Sequence, residues 1–270
     1  MLGKSSLLLD VGNSITKYTF LEAPQTASID DSFIQSQLSQ INVNTIENSA
    51  LPTLLESSPQ VFLCSVKAND TNDEILNIMK RASCQVHIQQ TQACQFGIKN
   101  SYKTVSNMGA DRWMAMLGAD ALANGNILVI DAGTAITCDA VINKQHVGGW
   151  IAPGLRLLRE SVVQNTKRVF DFSNLVPQLA FGNDTAECVA NGALAQLVGI
   201  AMQAIIQTQR QCEDFTVFIT GGDRELLIQN LHQQFMSETH AGFSVFDTSK
   251  IRSHSNLVLA GLARVSICEN

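Results

Sequence analysis

The sequence predicts an α/β protein built from a duplicated domain, and three observations carry that prediction. Short apolar, β-branched runs alternate with longer periodic runs along the chain, the pattern of strands interleaved with helices. A seven-residue motif recurs: Asp10-Val11-Gly12-Asn13-Ser14-Ile15-Thr16 lines up with Asp131-Ala132-Gly133-Thr134-Ala135-Ile136-Thr137, sharing Asp, Gly, Ile and Thr. The length, 270 residues, accommodates two domains of ordinary size.

The elements follow in order. A strand is expected over 6–11, where Leu7-Leu8-Leu9 runs into Asp10, and a second over 17–21, joined to it as a hairpin with a tight polar turn. Residues 24–60 are rich in Ser, Gln, Asn and Pro and read as a peripheral helix with loops around it. The run 61–66 is the next strand; a helix over 72–82 follows, capped by Thr71 or Asp73. Gly109-Ala110-Asp111-Arg112-Trp113 opens a helix over 110–123, with Met114, Met116 and Leu117 behind it. The segments 127–131 and 136–142 form the second hairpin, entered by Ile127-Leu128-Val129-Ile130. A glycine-rich passage, Gly148 to Gly154, leads from a strand into a helix over 154–165. Thr185 is the expected cap of a long, Ala-rich helix over 185–209. A strand over 215–220 ends in Gly221-Gly222-Asp223 before a helix over 223–235, and a last helix covers 256–268. The repeat spacing divides the chain into domains at 1–120 and 121–270.

Composition narrows the function. Charged residues make up 16% of the chain and the net charge is −6, while 21 Gln and 19 Asn supply polarity without charge. Such a chain is a poor polynucleotide binder, because that affinity comes from Lys and Arg neutralising phosphates. Any anion must be held locally by backbone N–H groups, a few placed cations or a metal. The apolar share, 45%, excludes disorder. No stretch is expected to reach the roughly 18–20 apolar residues of a membrane span, and the N-terminus lacks a signal-peptide core. The seven cysteines (64, 84, 94, 138, 188, 212, 268) are odd in number, with no C-x-x-C pair. That usage suits reduced thiols in the cytoplasm rather than a disulfide framework or zinc site.

The repeated turns carry a chemistry. Glycine lets a phosphate approach the backbone, successive N–H groups form an anion-binding nest, and a hydroxyl or amide adds a donor. Asp10 cannot contact a bare phosphate, so it implies a bridging cation such as hydrated Mg²⁺. Lys17, on the outgoing strand, can neutralise a terminal phosphate. Two such turns facing each other across a cleft would grip a polyphosphate, and phosphoryl transfer needs little beyond positioning and charge neutralisation. Gly3-Lys4-Ser5 is not a P-loop, since neither the earlier glycine nor a preceding strand is present. Asp111, in a first helical turn, complements the helix dipole; the functional alternative is that it accepts or orients a substrate hydroxyl proton while Arg112 binds an anionic group. Gly221-Gly222 offers a floor for a flat base or a plain turn, and Tyr102 lines a small-molecule pocket or packs in the protein.

Taken together, Asp10-x-Gly-Asn-Ser…Lys17, Gly109-x-Asp-Arg-Trp113, Asp131-x-Gly-Thr-Ala-x-Thr137, Gly148-Gly-x-Ile-x-Pro-Gly154 and Thr220-Gly-Gly-Asp223 resemble type III pantothenate kinase. The resemblance extends from residue 7 to about residue 264. It implies two duplicated ribonuclease-H-like domains around an ATP cleft, as in the acetate and sugar kinase, Hsp70 and actin superfamily. It also implies ATP-dependent phosphorylation of pantothenate, the first step toward coenzyme A. In that light Asp10, Val11, Gly12, Asn13, Ser14, Ile15, Thr16, Lys17 and Thr134 bind ATP, with Asp10 near Mg²⁺. Asp111 accepts the proton, and Tyr102, Gly109, Ala110, Asp111 and Arg112 contact pantothenate. Asp131 coordinates a monovalent cation, K⁺ or NH₄⁺. Thr185 reaches pantothenate, typically from the partner subunit of a homodimer. The chain departs from the family at Ser14, where Thr is usual, and over 103–108, where Asn-Pro is usual. The alternatives are a kinase for another small hydroxylated acceptor and a non-catalytic accessory relative of the same fold.

Overall fold

The computed structural model describes residues 5–12, 15–22, 30–39, 41–47, 54–55, 60–65, 77, 85–123, 125–165, 175–237 and 246–268. The expected helix over 72–82, with Thr71 and Asp73, lies outside the described residues apart from Asn77, as do Cys84, Asn13 and Ser14. In chain order the elements are β1 (Ser6–Val11), β2 (Ile15–Leu21), α1 (Asp31–Ser39), β3 (Asn44–Glu47), β4 (Gln60–Ser65), β5 (Gln85–Ile88), β6 (Cys94–Gln95), β7 (Ile98–Lys99) and α2 (Ala110–Leu122). There follow β8 (Asn126–Ala132), β9 (Ala135–Ile142), β10 (Gln145–Pro153), α3 (Leu155–Asn165), α4 (Thr185–Gln209), β11 (Phe215–Thr220), α5 (Arg224–Ser237), β12 (Ile251–Ser253) and α6 (Leu257–Cys268).

The chain divides into two compact units. The first comprises Met1–Asn124, Lys144–His146 and Asn256–Asn270; the second comprises Gly125–Asn143 and Val147–Ser255. The sheet of the first unit has the order β3-β2-β1-β4-β5. Its central strand β1 is antiparallel to β2 and parallel to β4. In the second unit the order β10-β9-β8-β11-β12 repeats this plan, with β8 antiparallel to β9 and parallel to β11. The duplication seen in one turn motif therefore extends to whole sheets. The two hairpins differ in one respect. Asp10 pairs with Lys17 whereas Asp131 pairs with Thr137, so the first turn is one residue longer, and a cation and a hydroxyl occupy corresponding places.

Alternation explains the layering of the first unit. Leu7, Leu9 and Val11 enter one apolar cluster with Leu55, Val61 and Leu63. Leu8 and Asp10 consequently face the other side of the sheet, together with Cys64, the parallel partner of Asp10. Helices α2 and α6 pack tightly against each other because two glycines meet at their crossing. A Cβ on Gly118 would come within 2.8 Å of Gly261 N, and one on Gly261 would strike the Met114 carbonyl. Below that crossing the buried Asp120 carboxylate accepts from Lys144 Nζ at 2.6 Å and from Arg264 Nη1 at 2.8 Å. Arg264 also stacks on Phe96 at 4.4 Å.

In the second unit α4 buries a stripe that includes Leu194, Leu197, Val198, Ala201 and Ile205 in a core shared with β8, β9 and β11. By length and composition this helix could cross a membrane, against the expectation that no stretch is long and apolar enough. Its buried stripe instead makes it the core helix of the unit, and Leu227, Leu231, Phe235 and Phe246 complete the packing. The N-cap of α4 is Asp184, not Thr185: the Asp184 carboxylate accepts from Glu187 N at 2.8 Å, and Thr185 is the first helical residue. Glu187 in turn accepts from Asn183 N at 2.8 Å, a near relative of the capping box.

Several strands escape a sequence pattern. β3 and β5 are edge strands of only four residues each, too short for a pattern to stand out. The tiny β6 and β7 turn through Phe96 and Gly97, both at positive φ. β10 runs on through Gly148 and Gly149 to Pro153, so Gly154 alone makes the passage into α3.

Candidate active site

In the first unit three elements bring their ends together. β1 finishes near Asp10, α2 starts at Ala110 and α6 starts at Leu257. Asp10 is partly buried, opposite Lys17 across the hairpin. Burial pushes the Asp10 carboxyl above the usual carboxylate range; a hydrogen bond from Asn256 and the charge of Lys17 oppose this, and the charge of Asp111 adds to it. Cys64 lies beneath these carboxylates, its thiol pushed well up by burial and then by Asp10 and Asp111. Its role is that of a small buried filler. Val11 and Thr16 are buried and Gly12 is partly so. Asn13 and Ser14 lie outside the described residues, and of Ile15 only the backbone is described.

Asp111 stands in the first turn of α2, where its Oδ1 accepts from Arg112 N at 2.8 Å. Gly109 makes this possible, because a Cβ there would sit 2.5 Å from that same oxygen. Ala110 and Asp111 are partly buried, and Gly109 is exposed. Arg112 is buried, and its Nη1 donates to the Tyr102 hydroxyl at 2.8 Å. The Tyr102 ring stacks on fully buried His146, whose Nδ1 lies 3.0 Å from Ser101 Oγ. The loop over 103–108 is pinned by Thr91, which donates to the Met108 carbonyl at 2.8 Å. Tyr102 and Arg112 are thus joined in one cluster despite the unusual loop sequence.

The second unit frames Asp131 with glycines. A Cβ on Gly133 would lie 3.4 Å from Asp131 Oδ1, and one on Gly221, at φ +96°, would lie 2.5 Å from it. Asp223 N donates to the Ala132 carbonyl at 2.9 Å, tying the Gly221-Gly222 turn to the hairpin. Gly154 N likewise donates to the Thr134 carbonyl at 2.9 Å. Thr134 and Thr185 are exposed. Thr185 helps line a cavity of about 590 Å³ between α3 and α4, with Val162, Asn183, Asp184 and Cys188. His146 and Asn256 stand outside every turn motif and repeat, so no motif points to them.

Oxygen-only donors suit hard cations, and both aspartates fit one. Asp10 is a carboxylate whose ionised form burial disfavours, so a bound cation would stabilise it. Asp131 sits in a cradle that any side chain at Gly221 would fill. Among the described residues no group of three or more His, Cys, Asp or Glu is arranged to hold a metal ion.

A ROK family glucokinase from Streptomyces griseus, solved with glucose and AMPPNP, superposes with a TM-score of 0.51 at 10% identity, over 97% of this chain and 98% of that one. A Campylobacter jejuni protein, provisionally named a Baf family transcriptional activator, superposes with a TM-score of 0.58 at 19% identity, over 96% of each chain. At such identities the likeness establishes the fold alone, an actin-like α/β fold. Sequence takes the assignment further. The model of the type III pantothenate kinase family matches residues 6–207. A type III pantothenate kinase from Pseudoalteromonas atlantica is 31% identical over 259 residues, 96% of each chain. The chain belongs to the type III pantothenate kinase family.

Proposed function

We propose that the chain transfers the γ-phosphoryl group of ATP to the terminal hydroxyl of pantothenate, in the cytoplasm and as a homodimer, using the residues described above. The observation that carries the reading is Asp111. Its carboxylate is oriented by the Arg112 N–H at 2.8 Å, in space that Gly109 leaves open. Asp111 accepts the proton of the hydroxyl as its oxygen attacks the γ-phosphorus; the bond to the β–γ bridging oxygen breaks and ADP leaves. A positioned general base contributes about 10²–10⁴-fold. Arg112, held by Tyr102, offers its guanidinium to the pantothenate carboxylate, while Gly109, Ala110 and Tyr102 shape the acceptor pocket.

The hairpin from Asp10 to Lys17 receives the ATP phosphates through backbone N–H groups and the Lys17 ammonium. Mg²⁺, held through water by Asp10, supplies charge neutralisation of the phosphates when bound. Thr134 contacts the nucleotide, Asp131 holds K⁺ or NH₄⁺, and Thr185 reaches pantothenate bound to the partner subunit. Retention of Asp10, Lys17, Asp111, Arg112 and Asp131 together argues against a binding-only accessory role. The test is turnover of pantothenate by purified protein with ATP and Mg²⁺, with and without K⁺. Formation of phosphopantothenate that rises with K⁺ is expected. ADP release with other hydroxylated acceptors but not with pantothenate would reject the substrate, and turnover indifferent to K⁺ would reject the Asp131 assignment.

A further inference from the structure

We propose that Asn256, the N-cap of the C-terminal helix, is a positioning residue for Asp10 that holds its carboxylate in the orientation the metal–nucleotide complex requires. The proposal rests on the reading of Asp10 as the residue nearest Mg²⁺. The Asn256 side chain does two jobs. Asn256 is 3% exposed. Its Oδ1 accepts from Leu259 N at 2.8 Å, the N-cap bond of α6. The amide carries one acceptor and one NH₂ group, so capping the helix turns the NH₂ end away from Leu259. That end donates to Asp10 Oδ2 at 3.0 Å. Rotating the amide by half a turn would break both bonds, so the helix start fixes the amide and the amide restrains the carboxylate.

Other N-cap residues do not meet both demands. Aspartate caps a helix as well as asparagine, but it would set a third carboxylate against Asp10 and Asp111. Serine also caps, but its side chain is too short to do so and reach Asp10. The anchor beneath is rigid: the glycine contacts between α2 and α6 leave no room for either helix to slide. The same helix pair therefore carries Asp111 at the start of α2 and the Asp10 restraint at the start of α6. No motif reveals this link, because the two residues are 246 positions apart.

The full-length protein is compared with N256S, N256D and D10N, using the thermal midpoint without ligand, calorimetric binding of a non-hydrolysable ATP analogue with Mg²⁺, and steady-state kinetics. N256S keeps a cap, so its midpoint is expected to stay near that of the wild type; N256D also keeps a cap but sets a carboxylate against Asp10, so its midpoint is expected to fall. Loss of a hydrogen bond to a charged group should weaken analogue binding by about 10- to 150-fold. N256D should be the weaker binder, KM for ATP should rise, and KM for pantothenate should not move. Wild-type binding by N256S and N256D alongside weakened binding by D10N overturns the positioning role alone. Wild-type binding by D10N overturns the reading of Asp10 itself. If N256D does not fold, N256S decides.

Discussion

Asp111 and Asp10 are both partly buried carboxylates at the same end of the first unit, yet they are held for different work. Asp111 is oriented by a backbone N–H of its own helix, next to a glycine whose missing side chain leaves its oxygen accessible. Replacing Asp111 with Asn keeps that hydrogen bond but removes the proton acceptor. Turnover should fall about 10²–10⁴-fold with little change in nucleotide affinity, checked by product formation and by binding measurements. Asp10 illustrates a different balance. Its carboxyl is pushed up chiefly by burial, so an ionised Asp10 costs the fold stability near neutral pH. Asp10→Asn should therefore raise the thermal midpoint at pH 7–8 while abolishing activity. The folded pKa exceeds the unfolded one, so the penalty disappears as pH falls through the folded value, and the variant's advantage should shrink there. A lower midpoint for the variant at neutral pH would refute this account.

Helix α4 shows why element boundaries and element roles have to be separated. Its span is readable from a long, Ala-rich run, and the structure reproduces the bounds 185–209. The cap is displaced by one residue, because Asp184 can place its carboxylate on Glu187 N while Thr185 already has helical neighbours. Asp184→Ala should cost about 1 kcal/mol, a fall of roughly 2–4 °C in the thermal midpoint. Thr185→Ala, at an exposed first-turn position, should leave the midpoint unchanged and raise KM for pantothenate. If instead the midpoint falls with Thr185→Ala, the capping role belongs to the threonine after all. The same helix looks membrane-competent from composition, and only the packing of its apolar stripe on the sheet shows where that stripe goes.

Over the whole molecule, the order of the chain and the order of its units part company. The segment Lys144–His146 and everything from Asn256 onward pack with the first unit. Asp120 ties both returns to α2, through Lys144 and Arg264. Lys144 is half-exposed and adds little by itself, but removing Asp120 would leave the largely buried Arg264 uncompensated. Asp120→Ala should cost about 3 kcal/mol or more, read as a lower urea midpoint with an unchanged active-site chemistry per folded molecule. The sequence by itself determined the α/β class, the two hairpins, most helices and the family, because those depend on local periodicity, on turn residues with strict backbone demands and on motifs that stay in order. Tertiary structure alone decided the repeated five-strand order, the return of the last helix to the first unit, the Tyr102–Arg112–His146 cluster and the bond from Asn256 to Asp10. Those contacts join residues far apart in the chain, and their energy comes from burial and hydrogen-bond geometry that no local pattern encodes.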